Sequence, residues 1–392
     1  MIASCLEKIK KWPWTVIMIA VCLVDVLLFP YIRKLSCSLA MLLVLVWYIA
    51  HIRKPRVSWS TVIAIVWIVA SLGFGIIWGS TDSLKVGIII AFAFLFLDLL
   101  KQRVNEGFIK KVVTKIFFIY ITVVFAFAVL YVLDPKSFFE LRSFWTMGNT
   151  KIEFHSWMMN RYTFIYSDPN NAGGAFVAIL AYTLFCEKHR RYTEAYYILA
   201  LSLSTVATQS MQALFALFVI LAVYAFLLLR SMSVRGRIIA VSFFFVLIAV
   251  ILAFKNVWIE IDVVKSVLKR LQNSNLSTGG GRMSFWQATI QNAFSWYNLI
   301  IGKGGVVDAA GKVYLPHSGF LYMTISYGFI TLVMFIKSFF ILSRKSKPLH
   351  YLVFLPLLII FSINTGVIDY RFLCTLTMLS AFVYLRAWMQ ED

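Results

Sequence analysis

"VVTKIFFIYITVVFAFAVLYVL", residues 112–133, holds one charged side chain, Lys115, in twenty-two positions. As a helix it is long enough to cross the ~30 Å hydrocarbon core of a bilayer. Runs of this kind recur along nearly the whole chain. The 392 residues are 61% hydrophobic and only 14% charged, and the mean hydropathy is +0.83. This composition excludes a soluble protein built around one core and predicts an all-α integral membrane protein. Residues 1–392 are expected to form a single polytopic bundle of about 12 transmembrane helices. The apolar runs lie near 14–32, 35–51, 60–79, 84–100, 112–133, 171–186, 194–209, 211–230, 237–254, 318–342, 349–367 and 370–388. The sixth and seventh are short, and only a polar "TQS" separates the seventh from the eighth.

Loop charge sets the expected orientation. The segments "KIKK", "HIRKPR", "KQRVNEGFIKK", "EKHRR", "RSMSVRGR", "SRKSK" and "RAW" together carry 20 lysines and arginines, against 4 in the short segments that alternate with them. Both termini are therefore expected in the cytoplasm. Residues 134–170 and 255–317 become long external loops. The net charge of +20 is a topology signal; the basic residues are dispersed as loop anchors and form no nucleic-acid patch. The opening "EKIKKWPW" leads into the first span with no small-residue cleavage site, so that helix is expected to stay as an anchor. Cys5, Cys22, Cys37, Cys186 and Cys374 have no paired spacing and none lies in a long external loop. They suggest neither a disulfide framework nor a thiolate metal site. No internal repeat of fixed period is visible, unlike many transporters.

The external loops carry the chemistry. In "NVWIEIDVVKSVLKRLQN", Val257, Ile261, Val264, Leu268 and Leu271 share one helical face, as in a helix lying in the membrane interface. "SNLSTGGGR" follows, and Arg282 opens a second helix-like run, "MSFWQATIQNAFSWY". A cation at a helix N-terminus is unfavourable unless an anion joins it, so glycines, free amides and guanidinium form a candidate phosphate cradle. In "NRYTFIYSDPNNAGGAF", Arg161 precedes Asp168 as N-cap and Pro169 as first helical residue of the sixth span. His317 has a similar setting: Pro316 ends the loop and Ser318 caps the tenth span.

Each feature also has a plainer reading. The arginines can pair with lipid phosphate or a carboxylate, and His317 can be a hydrogen-bonded interfacial histidine. Glu260 and Asp262 do not face one another on a helix and read as a solvated edge rather than a metal pair. Asp25, inside the first span, marks either an ion path or a side chain buried against a partner.

"NRYTFIYSDPNNAGG", "GGGRMSFWQATIQNAF" with "NLIIGKGG", and "PHSGFLYMTISYG" together resemble the O-antigen polymerase and O-antigen ligase superfamily. The motifs cover roughly residues 155–330, and the last places His317, Ser318 and Gly328 on the family pattern. The chain departs from that pattern in three places. Met211 follows Ser210 where the family often has arginine, Thr331 replaces a second glycine, and the spacing from Arg161 to Gly173 is one residue longer. The resemblance implies a C-type glycosyltransferase fold in the bacterial cytoplasmic membrane. It also implies transfer of a glycan from a polyprenyl-diphosphate carrier to an acceptor hydroxyl, with no metal and no other cofactor. Basic groups would stabilise the leaving diphosphate, and a neutral base would take the hydroxyl proton.

On this basis Arg161, Arg282 and His317 are assigned to catalysis, and Asp168, Asn170, Trp286, Ser318 and Tyr314 to substrate binding, with no metal ligands. Aromatic stacking on sugar rings and anchoring at the interface explain Trp286 and Tyr314 equally well. The expected activity is surface-polysaccharide polymerisation on lipid-linked oligosaccharides, with membrane lipids, a chain-length regulator and a flippase as partners and no nucleic acid. A ligase, a flippase or transporter, and a non-catalytic scaffold are the rival readings.

Overall fold

The computed structural model describes residues 14–29, 42–44, 46, 59–78, 87–88, 90–92, 94–96, 106–145, 161–254, 256, 259–273, 286–287, 290–291, 300, 302, 318–342, 347–363 and 370–388. Among these the regular structure is entirely helical, and no strand occurs. The helices are α1 Trp14–Leu28, α2 Trp59–Trp78, α3 Glu106–Leu133, α4 Pro135–Trp145, α5 Pro169–Phe185, α6 Arg191–Ala207 and α7 Met211–Ser231. They continue with α8 Val234–Ala253, α9 Asp262–Asn273, α10 Gly319–Tyr327, α11 Phe329–Leu342, a 3-10 helix Pro348–Phe354, α12 Leu355–Ile363 and α13 Tyr370–Trp388.

Helix α5 is the hub. Its sequence, "PNNAGGAFVAILAYTLF", is rich in small residues, and from Asn171 to Leu184 every residue is buried. It packs against α6, α7, α12, α13 and the 3-10 helix. Small side chains let the neighbouring backbones come close. A Cβ on Gly173 would lie 2.5 Å from the Ala213 Cβ of α7, and one on Gly174 would lie 3.1 Å from the Phe372 ring of α13. Outside the hub, α3 packs on α1, α4 and α6, α7 on α8 and α12, and α13 on α1 and α11.

The outer faces are apolar. Ile65, Val69, Leu72 and Ile76 form an exposed stripe on α2, as do Phe215, Phe218 and Phe226 on α7; Ile76 is 82% exposed and Phe218 69%. Two stretches, Lys111–Leu133 and Met211–Ser231, are long and apolar enough to cross a membrane, with mean hydropathies of 2.7 and 2.6. Shorter apolar helices, such as Arg371–Val383, accompany them.

Three features differ from the sequence expectation. The run at 318–342 is not one helix, because Gly328 adopts φ 88° and ψ 157° and divides it into α10 and α11. That backbone region is essentially closed to residues with a Cβ. Gly302 (φ 91°) packs against this break, where a Cβ would lie 2.6 Å from the Ser326 carbonyl oxygen. The segment 134–170 is not simply a loop, since it begins with α4. Asp134 starts that helix, accepting from Ser137 N at 3.2 Å and Ser137 Oγ at 2.5 Å, so its carboxyl is held below the usual carboxylate range. The helix expected at the interface begins only at Asp262, and Val264 and Leu268 of its expected apolar face are half-buried. Ile261 precedes α9 and is exposed. The docked side of α9 carries buried Val263 and Ser266, whose Oγ donates to Gln209 Oε1 at 2.6 Å.

Candidate functional site

The α6–α7 turn, Thr208–Ser210, meets the segment 161–168 at one end of the bundle. Tyr162 N donates to Ala207 O at 3.3 Å, and Arg161 Nε donates to Thr208 O at 2.7 Å. Arg161 is buried, with 4% exposure. Its Nη2 lies 3.5 Å from Asn170 Oδ1, an outer-limit hydrogen bond. Asn170 Oδ1 also accepts from Ser210 Oγ at 2.8 Å.

This arrangement joins two helix starts. Asp168 caps α5, its Oδ1 accepting from Asn170 N at 2.7 Å, and Pro169 takes the first turn. Ser210 caps α7, its Oγ accepting from Ala213 N at 3.2 Å. The positive ends of two helix dipoles and a buried guanidinium therefore converge within hydrogen-bonding distance of one amide side chain. Such a constellation favours negative charge.

Two non-glycine residues here adopt left-handed backbone, Phe164 (φ 50°) and Gln209 (φ 53°). Such conformations persist where surrounding contacts over-determine them. Phe164 is held by Arg142, whose Nε donates to Phe164 O at 2.8 Å while its Nη2 donates to Thr163 Oγ1. Arg142 is buried at 2% exposure, with its guanidinium 6.0 Å from the Phe138 ring centroid. Gln209 is held from both sides, donating to Tyr131 OH at 3.2 Å and accepting from Ser266 on α9.

A third buried arginine, Arg371, opens α13 and donates through Nη1 to Asp25 O at 2.8 Å. It thereby supplies a cation to the C-terminal turn of α1, where it is favourable. Trp145 Nε1 donates to Leu28 O at 2.7 Å beside it, and the Trp145 ring stacks on Phe29 at 5.9 Å. The last turn of α1 is thus tied to both α4 and α13.

Of the residues singled out in the sequence, Arg161, Asp168 and Asn170 are brought together. Ser318 caps α10, accepting from Leu321 N and donating to Phe361 O, each at 3.3 Å. Trp286 is half-buried, and its indole N–H makes no hydrogen bond to the described residues. His317, Arg282 and Tyr314 lie outside the described residues. Glu260 pairs with Lys265 at 2.5 Å, and this partner raises the Lys265 pKa. No group of three or more potential metal-binding side chains occurs among the described residues.

Arg142, Gln209 and Arg371 were not singled out as site residues. The available signals were an arginine in the aromatic run "FFELRSFW" and the polar interruption "TQS" between two apolar runs. In comparisons with known proteins, no family model matches this chain and no curated protein matches it.

Proposed function

We propose that this chain is a multi-pass membrane glycosyltransferase of about 12 spans with both termini in the cytoplasm. It polymerises a surface polysaccharide. A glycan passes from a polyprenyl diphosphate, at the outer face of the bacterial cytoplasmic membrane, to a hydroxyl of another lipid-linked repeat unit. The observation that carries this reading is Arg161, buried between the capped N-termini of α5 and α7. A leaving diphosphate gains charge in the transition state, and preorganised donors in a water-poor site stabilise that charge most effectively. The exposed apolar stripes on α2 and α7 suit lipid contact rather than water.

In this reading Arg161 and Arg282 face the diphosphate. Asp168 and Asn170 orient the helix starts around it, and Trp286 and Tyr314 stack on sugar rings. His317 takes the hydroxyl proton, and Ser318 fixes the backbone beside it by capping α10. The C–O bond from the anomeric carbon to the diphosphate breaks, a glycosidic bond to the acceptor oxygen forms, and the polyprenyl diphosphate leaves. Cells lacking the chain should accumulate single lipid-linked repeat units. Accumulation of finished polymer still on its lipid would instead identify a ligase.

A further inference from the structure

A cleft at the opposite end of the bundle from the Arg161 site lies between α3 and the α5–α6 turn. Its mouth carries Lys115, Lys188 and Arg190, all exposed. Phe118 and Ile119 of α3 form its wall, 47% and 51% exposed. Among the described residues, the nearby acidic groups are Glu187, whose partners Thr114 and His189 line the cleft, and Glu194. Glu187 is buried, accepting from Thr114 Oγ1 and Tyr182 OH at 3.3 Å each, and lies 3.1 Å from His189 Nε2. Glu194 accepts from Tyr224 OH at 2.8 Å. Among the described residues no carboxylate pairs with Lys115, Lys188 or Arg190.

Three exposed cations at one mouth repel one another unless an anion joins them. The first turn of α6 begins at the same place, and its N-cap, Arg190, provides no side-chain cap. The cation-bearing mouth runs directly into an exposed apolar wall. A free phosphate would use the mouth and leave the wall idle, whereas a phospholipid uses both. Arg190 donates to Tyr192 OH at 2.6 Å, and Tyr192 is 66% exposed, as suits an aromatic at the headgroup level.

We propose that this cleft binds an anionic phospholipid of the cytoplasmic leaflet, with its phosphate on Lys115, Lys188 and Arg190 and an acyl chain along Phe118 and Ile119. The proposal rests on the membrane orientation given above. Cations near a lipid surface each strengthen anionic-lipid binding by about fivefold, equivalent to about 1 kcal/mol.

The test uses the full chain, purified from membranes in detergent, delipidated and titrated with phosphatidylglycerol or phosphatidylcholine under native mass spectrometry. Phosphatidylglycerol should bind the wild type at least about tenfold more tightly than phosphatidylcholine, given the per-cation effect. The triple variant K115Q/K188Q/R190Q should lose that preference, and I119Q should weaken binding while keeping it. The control R230Q/R235Q/K347Q removes the same charge from other cytoplasmic turns and should bind as wild type does.

Equal binding by the cleft variant and wild type overturns the proposal, as does an equal loss in the control. Displacement of the lipid by millimolar inorganic phosphate, together with no effect of I119Q, would make this a phosphate site and overturn the lipid assignment. Absence of the chain from the membrane fraction is read first. That result would contradict the membrane reading itself and this proposal with it.

Discussion

Ser210 Oγ donates to Asn170 Oδ1 at 2.8 Å, and so the first turn of α7 is bonded to the first turn of α5. The same hydroxyl caps Ala213 N. Ser210→Ala removes both bonds and should cost about 1 kcal/mol for the cap alone. It should also free the amide that Arg161 approaches. Thermal unfolding in detergent should show a lowered midpoint, and polymer yield should fall. Wild-type values for both in the Ser210→Ala protein would remove this bond from the site's architecture.

The contact between α5 and α7 depends on Gly173. A methyl there meets the Ala213 Cβ, which is fixed to its own backbone and cannot rotate away. Gly173→Ala should destabilise by about 1–3 kcal/mol, the usual range for overpacking. Adding Ala213→Gly should recover part of the loss. Failure of the double variant to improve on Gly173→Ala would show that the Ala213 contact does not set the spacing.

Much of the helical structure was legible because a long apolar helix announces itself by length and apolarity. The apolar runs at 60–79, 112–133, 211–230 and 370–388 fall on α2, α3, α7 and α13 to within a few residues, apart from a six-residue extension at the start of α3. The caps of α5 and α10 were legible too, because Asp-Pro and Ser are local signals. The break at Gly328 was not. Its glycine lies in a continuous apolar stretch, and the need for φ 88° arises from the tertiary path of the chain. The role of "TQS" was equally hidden: three polar residues mark a turn, but nothing local says that Gln209 reaches both α3 and α9. Helix α4 was missed although "DPKS" is a start signal, because its mean polarity resembles that of a loop.

Arg142 helps to fix the shape of 161–168 from α4. It holds Phe164 O and Thr163 Oγ1 through two different nitrogens, a fork that lysine lacks. Arg142→Lys should therefore fail to restore function, and Arg142→Met should cost about 2 kcal/mol in lost charge-assisted bonds. Limited proteolysis would read the change as new cleavage within 161–168. If Arg142→Lys resists protease and polymerises as wild type does, the fork is dispensable.

The proposed topology, read from loop charge, has α4 outside and the α7–α8 turn inside. A cysteine at Glu140, exposed on α4, should react with an impermeant thiol reagent in intact cells, and one at Arg235 should react only after permeabilisation. The reverse pattern would invert the topology and put the Arg161 site in the cytoplasm.

Glycosyl transfer itself is tested most directly in proteoliposomes holding only the purified chain and one polyprenyl-diphosphate-linked repeat unit, with no nucleotide sugar. The product is read as a ladder of lipid-linked polymers. Wild type should build the ladder and release polyprenyl diphosphate in step with each bond formed. His317→Gln should bind the same substrate yet form no ladder, since glutamine accepts a hydrogen bond but cannot remove a proton. A wild-type protein that leaves the repeat unit unchanged, or a His317→Gln protein that polymerises at near wild-type rate, would contradict the account.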